Sequence, residues 1–183
     1  MSTLPTTQHS PPVNERDHII GPASAAITLV EYGDYECPYC GAAHPIVKEI
    51  LRRMGNRLRF AFRHFPLAQM HPHAERAAEA AEAAGAQGRF WQMHDLLFEH
   101  QDALEDDDLV AYAAAIGLDL DRFGRDLLDG VHAARVKSDF LSGVRSGVNG
   151  TPTFFINSHR HDGGYDLETL MTAINSAALV ARP

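Results

Sequence analysis

At 183 residues, with 45% hydrophobic and 22% charged side chains, the chain has a globular composition, with room for one sizeable core or for a small domain carrying an insertion. A formal charge of -8 argues against a nucleic-acid partner, which a basic stripe would meet, and the cluster Arg52, Arg53, Arg57, Arg59 and Arg63 reads as a solvated face. No run approaches the ~20 apolar residues that span a bilayer, and the start has neither a basic n-region nor an apolar h-region. The expectation is a cytoplasmic chain without a membrane partner, although a chain trimmed of an export leader would read the same.

Residues 1–16, rich in Ser, Thr and Pro, read as a flexible tail. A strand is expected at 26–32 and a helix from Pro38 to Met54, where Ala43, Ile46, Val47, Ile50, Leu51 and Met54 recur at helical spacing and Gly55-Asn56 stops it. A second strand, at 58–64, alternates as a half-wet strand would. From His71 to Val148 every periodic segment reads as helix: 74–84, with Glu75, Glu79 and Glu82 on one face, then 89–100, 107–116, 120–128 behind an Asp119 N-cap, and 131–146. Phe90, Trp91 and Phe98 in this block read as core. Gly150-Thr151-Pro152 is a turn signal feeding a strand to Asn157, a short strand at 159–161 closes a hairpin, and 166–180 is a final helix. Strands at both ends enclosing helices predict an α/β protein: residues 17–66 and 148–183 as one sheet domain, residues 67–147 as an all-helical insertion.

The two cysteines, Cys37 and Cys40, are the only ones in the chain, separated by Pro38 and Tyr39 where the first strand gives way to the first helix. Cys37 is placed to cap that helix, with Pro38 at its first position, where a missing N–H costs nothing. Free helical N–H groups and the helix dipole then favour its thiolate, so Cys37 is the expected nucleophile and Cys40, one turn on, the thiol that resolves a mixed disulfide. Cys40 must lose a proton to do so, and Glu31, in an otherwise apolar strand, could take it; an exposed strand carboxylate is the alternative. As a metal site the pair supplies two of zinc's usual four ligands. His71 and His73, or His159 and His161, could lend others, but no metal is expected at the cysteines. A permanent structural disulfide is disfavoured by cytosolic reductants. His44 falls near the motif and reads as a surface or packed histidine.

Glu31-Tyr32-Gly33-Asp34-Tyr35-Glu36-Cys37-Pro38-Tyr39-Cys40, the helical block and Gly150-Thr151-Pro152-Thr153-Phe154-Phe155-Ile156-Asn157 together resemble the DsbA-like thiol-disulfide oxidoreductases of the thioredoxin superfamily. The resemblance runs from about Asp17 to the C-terminus. It implies a thioredoxin fold, a mixed central sheet flanked by helices, with the helical insertion. It assigns Cys37 as attacking and Cys40 as resolving cysteine, Glu31 as the buried acid, Pro45 as the helix-kinking proline and Pro152 as the cis-proline facing the dithiol. Substrate would meet Pro38 and Tyr39 and the backbone of Thr151 and Pro152, which makes the expected partners protein or peptide thiols and disulfides. No cofactor is implied, and the redox partner could be glutathione or a thioredoxin-type reductase. Pro-Tyr stands where the strongly oxidising members carry Pro-His, which leaves the direction of exchange open. A glutathione-dependent enzyme on the same fold and a non-enzymatic peptide-binding or chaperone module stay as alternatives.

Overall fold

The computed structural model describes residues 9–180. Its centre is a five-stranded mixed sheet in the order β1-β3-β2-β4-β5. Strands β2 (Ile27–Gly33) and β3 (Leu58–His64) pair in parallel, with Glu31 opposite Phe62, and helix α1 (Pro38–Met54) is the crossover that parallel pairing requires. Strand β4 (Thr153–Ile156) runs antiparallel to β2, placing Phe154 opposite Glu31 and Thr153 opposite Tyr32. A two-residue turn at Asn157 and Ser158, both at positive φ (48° and 72°), brings back β5 (His159–Arg160); Asn at its first position suits such a hairpin.

Strand β1 (His18–Ile20) pairs antiparallel to β3 and is absent from the sequence reading. Three residues, His-Ile-Ile, are too few to display alternation. It covers the outer edge of β3, and the preceding segment is tied to both sides of the sheet: the Ser10 N–H donates to the Ser158 carbonyl in the β4–β5 turn, and the Arg63 guanidinium of β3 donates to the carbonyls of Pro11 and Pro12. The part of the expected flexible tail from residue 9 to residue 16 is therefore fastened to the sheet; residues 1–8 lie outside the described residues.

Both central strands are covered on both faces, so every residue of β2 except Thr28 and every residue of β3 except Arg59 is buried. This corrects two expectations. The half-wet strand at 58–64 is an interior strand, and Arg63 is not part of a solvated face: it is 3% exposed and ion-paired to Asp17 at 2.7 Å. It also removes the exposed alternative for Glu31, which has no wet side of its strand to occupy.

Between β3 and β4 run α2 (Ala74–Gly85), α3 (Phe90–Glu99), α4 (Asp106–Ala115), α5 (Leu120–Leu128) and α6 (Ala133–Arg145). Alanines let α2 lie close against α3, α5 and α6, and eight of its twelve residues are buried as a result. That burial includes Glu82, which helical spacing puts on one face with Glu75 and Glu79; it accepts hydrogen bonds from His18 and His64. Asp119 caps α5 by accepting from the Arg122 N–H, and Glu105 and Asp108 form a capping box on α4. Phe90 and Phe98 enter the main core with Trp91 packed beside them. Helix α7 (Leu167–Val180) returns to α1 and buries Leu170 and Ile174. The whole is a thioredoxin fold carrying a helical insertion between its two halves.

Candidate active site

Cys37 caps α1 with extended backbone (φ -73°, ψ 120°), Pro38 follows at the first helical position, and Pro45 lies inside the helix, where it leaves the Gly41 carbonyl without its helical donor. Cys37 and Cys40 are both reduced and buried, while Pro38 and Tyr39 stand exposed beside them, Tyr39 at 64%. Across a narrow gap lies the loop entering β4, where the Thr151–Pro152 peptide is cis. The Cys37 thiol donates to the Thr151 carbonyl at 3.4 Å, and the Asp34 N–H donates to Cys40 Sγ at 3.5 Å. The fold thus brings Cys37, Cys40, Thr151 and Pro152 together from segments far apart in the chain.

The electrostatics divide the two sulfurs. A hydrogen bond from the Cys40 thiol, set against the cost of burial and helped by Thr151 and the N–H groups of Cys40 and Tyr39, lowers the Cys37 pKa to about 5. Burial pushes the Cys40 thiol well up, and its hydrogen bond to Cys37 and the charge of Glu31 add to the rise. One thiol is thus ionised at neutral pH and the other keeps its proton. Glu31 is fully buried with Oε1 unpartnered among the described residues; burial first, then the Cys37 charge, raise its pKa to about 8. A carboxyl held near neutrality beside a thiol of raised pKa is suited to proton exchange with it.

A ring of polar contacts that the sequence reading missed holds the turn before Cys37. Asp34, buried, accepts from the Glu36 N–H, the Leu67 N–H and His71 Nδ1, each at 2.8 Å. Glu36 accepts from the His73 N–H and from His73 Nδ1, both at 2.7 Å. His71 and His73 are therefore partners of this turn's acids, which raise both imidazole pKa values in spite of burial. Gln101, from the loop after α3, reaches the same turn. Nothing in the sequence ties residues 34 and 36 to residues 71 and 73; only the close approach of the β2–α1 and β3–α2 loops does so.

Two other groups gather possible metal ligands: His18, His64 and Glu82, and His44, His94 and Asp95. In both, a cation of the chain already faces the carboxylate, Arg135 at 3.9 Å from Glu82 and Lys48 at 3.0 Å from Asp95. His159 and His161 bond to backbone carbonyls of Asn157 and Gly164. His44 is buried against Phe98 and His94, and burial lowers its pKa.

A thioredoxin fold with a helical insertion, bearing a C-x-x-C dithiol at a helix start beneath a cis-proline loop, defines a thioredoxin-like protein. The chain belongs to the family described as Thioredoxin, whose model matches residues 13–176. Among solved structures it is similar to BdbD from Bacillus subtilis (TM-score 0.84, 21% identity, covering 94% of this chain and 98% of that one). It is similar also to alpha-DsbA1 from Wolbachia pipientis (TM-score 0.78, 23% identity, 93% and 94% covered). A sequence relative, the Na(+)/H(+) antiporter NhaA 1 of Salinispora arenicola, is 53% identical over 163 residues, which make up 89% of this chain and 25% of the antiporter. The chain spans about a quarter of the length of the curated relatives it matches. Among the described residues no helix is long and apolar enough to cross a membrane.

Proposed function

We propose that this protein exchanges its Cys37/Cys40 dithiol with disulfides of protein or peptide substrates. The observation that carries this reading is the opposed pair of sulfurs, Cys37 facing the Thr151 carbonyl with its pKa lowered to about 5 and Cys40, more deeply buried, with its pKa raised. The Cys37 thiolate attacks one sulfur of a substrate disulfide, forming a mixed disulfide and releasing the other substrate sulfur as a thiolate. Cys37 thereby loses its charge, which removes one of the two causes raising the Glu31 pKa. Glu31 then gives up its own proton to solvent more readily, and the carboxylate so formed takes the Cys40 proton. The Cys40 thiolate then attacks Cys37 Sγ and releases the second substrate thiolate. Two electrons pass from the dithiol to the substrate, and the same steps reversed oxidise a substrate dithiol.

An extended peptide lying along the Thr151–Pro152 loop would place its cysteine opposite Cys37, with Tyr39 exposed to receive a neighbouring side chain. Leu67, Met70, Val136, Phe140 and Leu141 line an apolar cleft of about 720 Å³, and one of these, Leu67, is bonded through its N–H to Asp34 in the turn before Cys37. The transport activity in the antiporters' name belongs to far longer proteins and is not assigned to this chain.

Trapping tests the reading. A Cys40→Ser variant should accumulate Cys37-linked mixed disulfides with client proteins, and a Cys37→Ser variant should not. Persistence of client capture in Cys37→Ala at the parent's level would instead favour a peptide-binding module. If the parent never forms a reversible Cys37–Cys40 disulfide in glutathione buffers, the exchange reading is wrong.

A further inference from the structure

Beside His71 and His73, which hold the acids of the dithiol turn, the helical insertion sends one side chain to that turn's backbone carbonyls. Gln101 lies just beyond the end of α3, and its Nε2 donates to the carbonyl oxygens of Tyr35 and Cys37, each at 2.8 Å. An amide nitrogen carries two hydrogens, and both are used on this one turn. The Cys37 carbonyl also accepts the opening bond of α1, from the Gly41 N–H at 3.1 Å, so the glutamine and the helix share an acceptor whose two lone pairs are both taken.

Gly41 gives a second, independent sign of the same contact. A Cβ at that position would stand 2.1 Å from Gln101 Oε1 and 2.6 Å from its Cδ, and the three nearest atoms all belong to Gln101. Glycine is among the poorest helix formers, and this one sits in the first turn of α1, directly after Cys40, where alanine would serve the helix better. The volume that an alanine methyl would fill is occupied by the Gln101 amide.

We propose that Gln101 is the positioning residue of the dithiol turn: its amide holds the Tyr35 and Cys37 carbonyls, fixes the extended ψ that presents Cys37 at the helix start, and makes the insertion a structural determinant of the site. The inference rests on the exchange reading for its purpose, but not for its measurement. A free Tyr35–Cys37 segment could rotate its peptide planes, and the sulfur would leave the field of the α1 N–H groups. A donor is required, because a carboxylate in the same place would face two carbonyl oxygens.

The test follows the thiolate of Cys37 directly, by ultraviolet absorbance and by the pH dependence of alkylation, in reduced protein with Gln101→Ala and with the isosteric Gln101→Glu. Thermal melts are recorded alongside, so that the Glu variant serves should the smaller Ala variant fail to fold. Both should raise the Cys37 titration midpoint by about one unit, the scale of one or two ordinary hydrogen bonds, with about tenfold less thiolate below it. Gly41→Ala alone should do the same by displacing the amide. In a Gln101→Ala background it should add no further shift and should raise the melting temperature, because only its helix propensity is left to act. The proposal is overturned if folded Gln101 variants titrate as the parent does, or if Gly41→Ala acts equally in both backgrounds. A parent that titrates normally but exchanges no disulfide would sink the proposed function and leave the role of Gln101 to be read from the same curves.

Discussion

The Cys37 thiol and the Thr151 carbonyl face each other at 3.4 Å, although 114 residues separate them in the chain. This contact suits the protonated sulfur alone, since a thiolate has no hydrogen to give and a carbonyl oxygen repels it. The Thr151 hydroxyl is buried and has no partner among the described residues, and Thr151 is among the groups lowering the Cys37 pKa. The hydroxyl is thus the group free to donate once the sulfur ionises. Thr151→Val keeps the side-chain volume and removes the donor, so the alkylation midpoint should rise from about 5 by about one unit. An unmoved midpoint would leave the backbone N–H groups as the thiolate's main support.

The same pKa bears on redox poise. A thiolate favoured at neutral pH stabilises the reduced protein and makes the disulfide the better oxidant. Placing a Cys37 pKa of about 5 between thioredoxin (about 7, about -270 mV) and DsbA (about 3.5, about -120 mV) gives a potential of about -190 mV. Pro-Tyr between the cysteines had left the thiolate without the donor that a histidine would supply; here Cys40, Thr151 and the helix N–H groups fill that role. Equilibration with glutathione buffers measures the value, and a result at or below that of thioredoxin would contradict this account of the thiolate.

Glu31 should trade stability for function. Its pKa is raised from 4.5 to about 8, so the folded protein keeps a proton that the unfolded chain releases. Between those values the unfolded state binds fewer protons, and stability falls as pH rises, then stays lower above pH 8. The difference of about 3.5 units is worth up to about 5 kcal/mol. Glu31→Gln carries no such penalty, and its unfolding free energy should exceed the parent's at pH 9 by a few kcal/mol while matching it near pH 4. The same variant lacks the proton acceptor, so stopped-flow assays should find mixed disulfides resolving more slowly, with the first attack by Cys37 little changed. Equal stability curves across this range would show that Glu31 is not held protonated.

Much of this was legible from residues alone because the signals were local. Cys37, Pro38 and Cys40 announce a capped helix start, Gly55 its end, and Asp119 the start of α5. What escaped was decided by tertiary cover. Arg63 alternates like a surface residue, and nothing near it in sequence shows that Asp17, Pro11 and Pro12 would close over it. Glu82 shares a helix face with Glu75 and Glu79, and only the arrival of His18 and His64 from the sheet separates it from them. Gln101 lies 64 residues from Cys37, and its one local trace is the glycine after Cys40.

The Arg63–Asp17 pair offers a test of that cover. All five guanidinium donor hydrogens are used: two on the Asp17 carboxylate, at 2.7 and 2.9 Å, one on the Tyr32 hydroxyl, and one each on the Pro11 and Pro12 carbonyls. Arg63→Met would strand a buried carboxylate and three other acceptors, a loss of about 3–5 kcal/mol. Asp17, whose pKa is lowered despite burial, contributes stability that is present above its ordinary value of 3.8 and lost as pH falls below it. Without Arg63 that contribution reverses sign, so the variant should be least impaired in acid. Arg63→Met with Asp17→Leu removes the stranded charge and should recover most of the loss, since a buried pair replaced by apolar groups is often neutral. Hydrogen exchange separates the two variants further. The Ser10 amide, bonded to Ser158 at 3.0 Å, should lose protection in both, because neither retains the guanidinium that fastens residues 11 and 12. Protection of Ser10 retained in the double variant would mean that β1 and the segment before it hold to the sheet without Arg63.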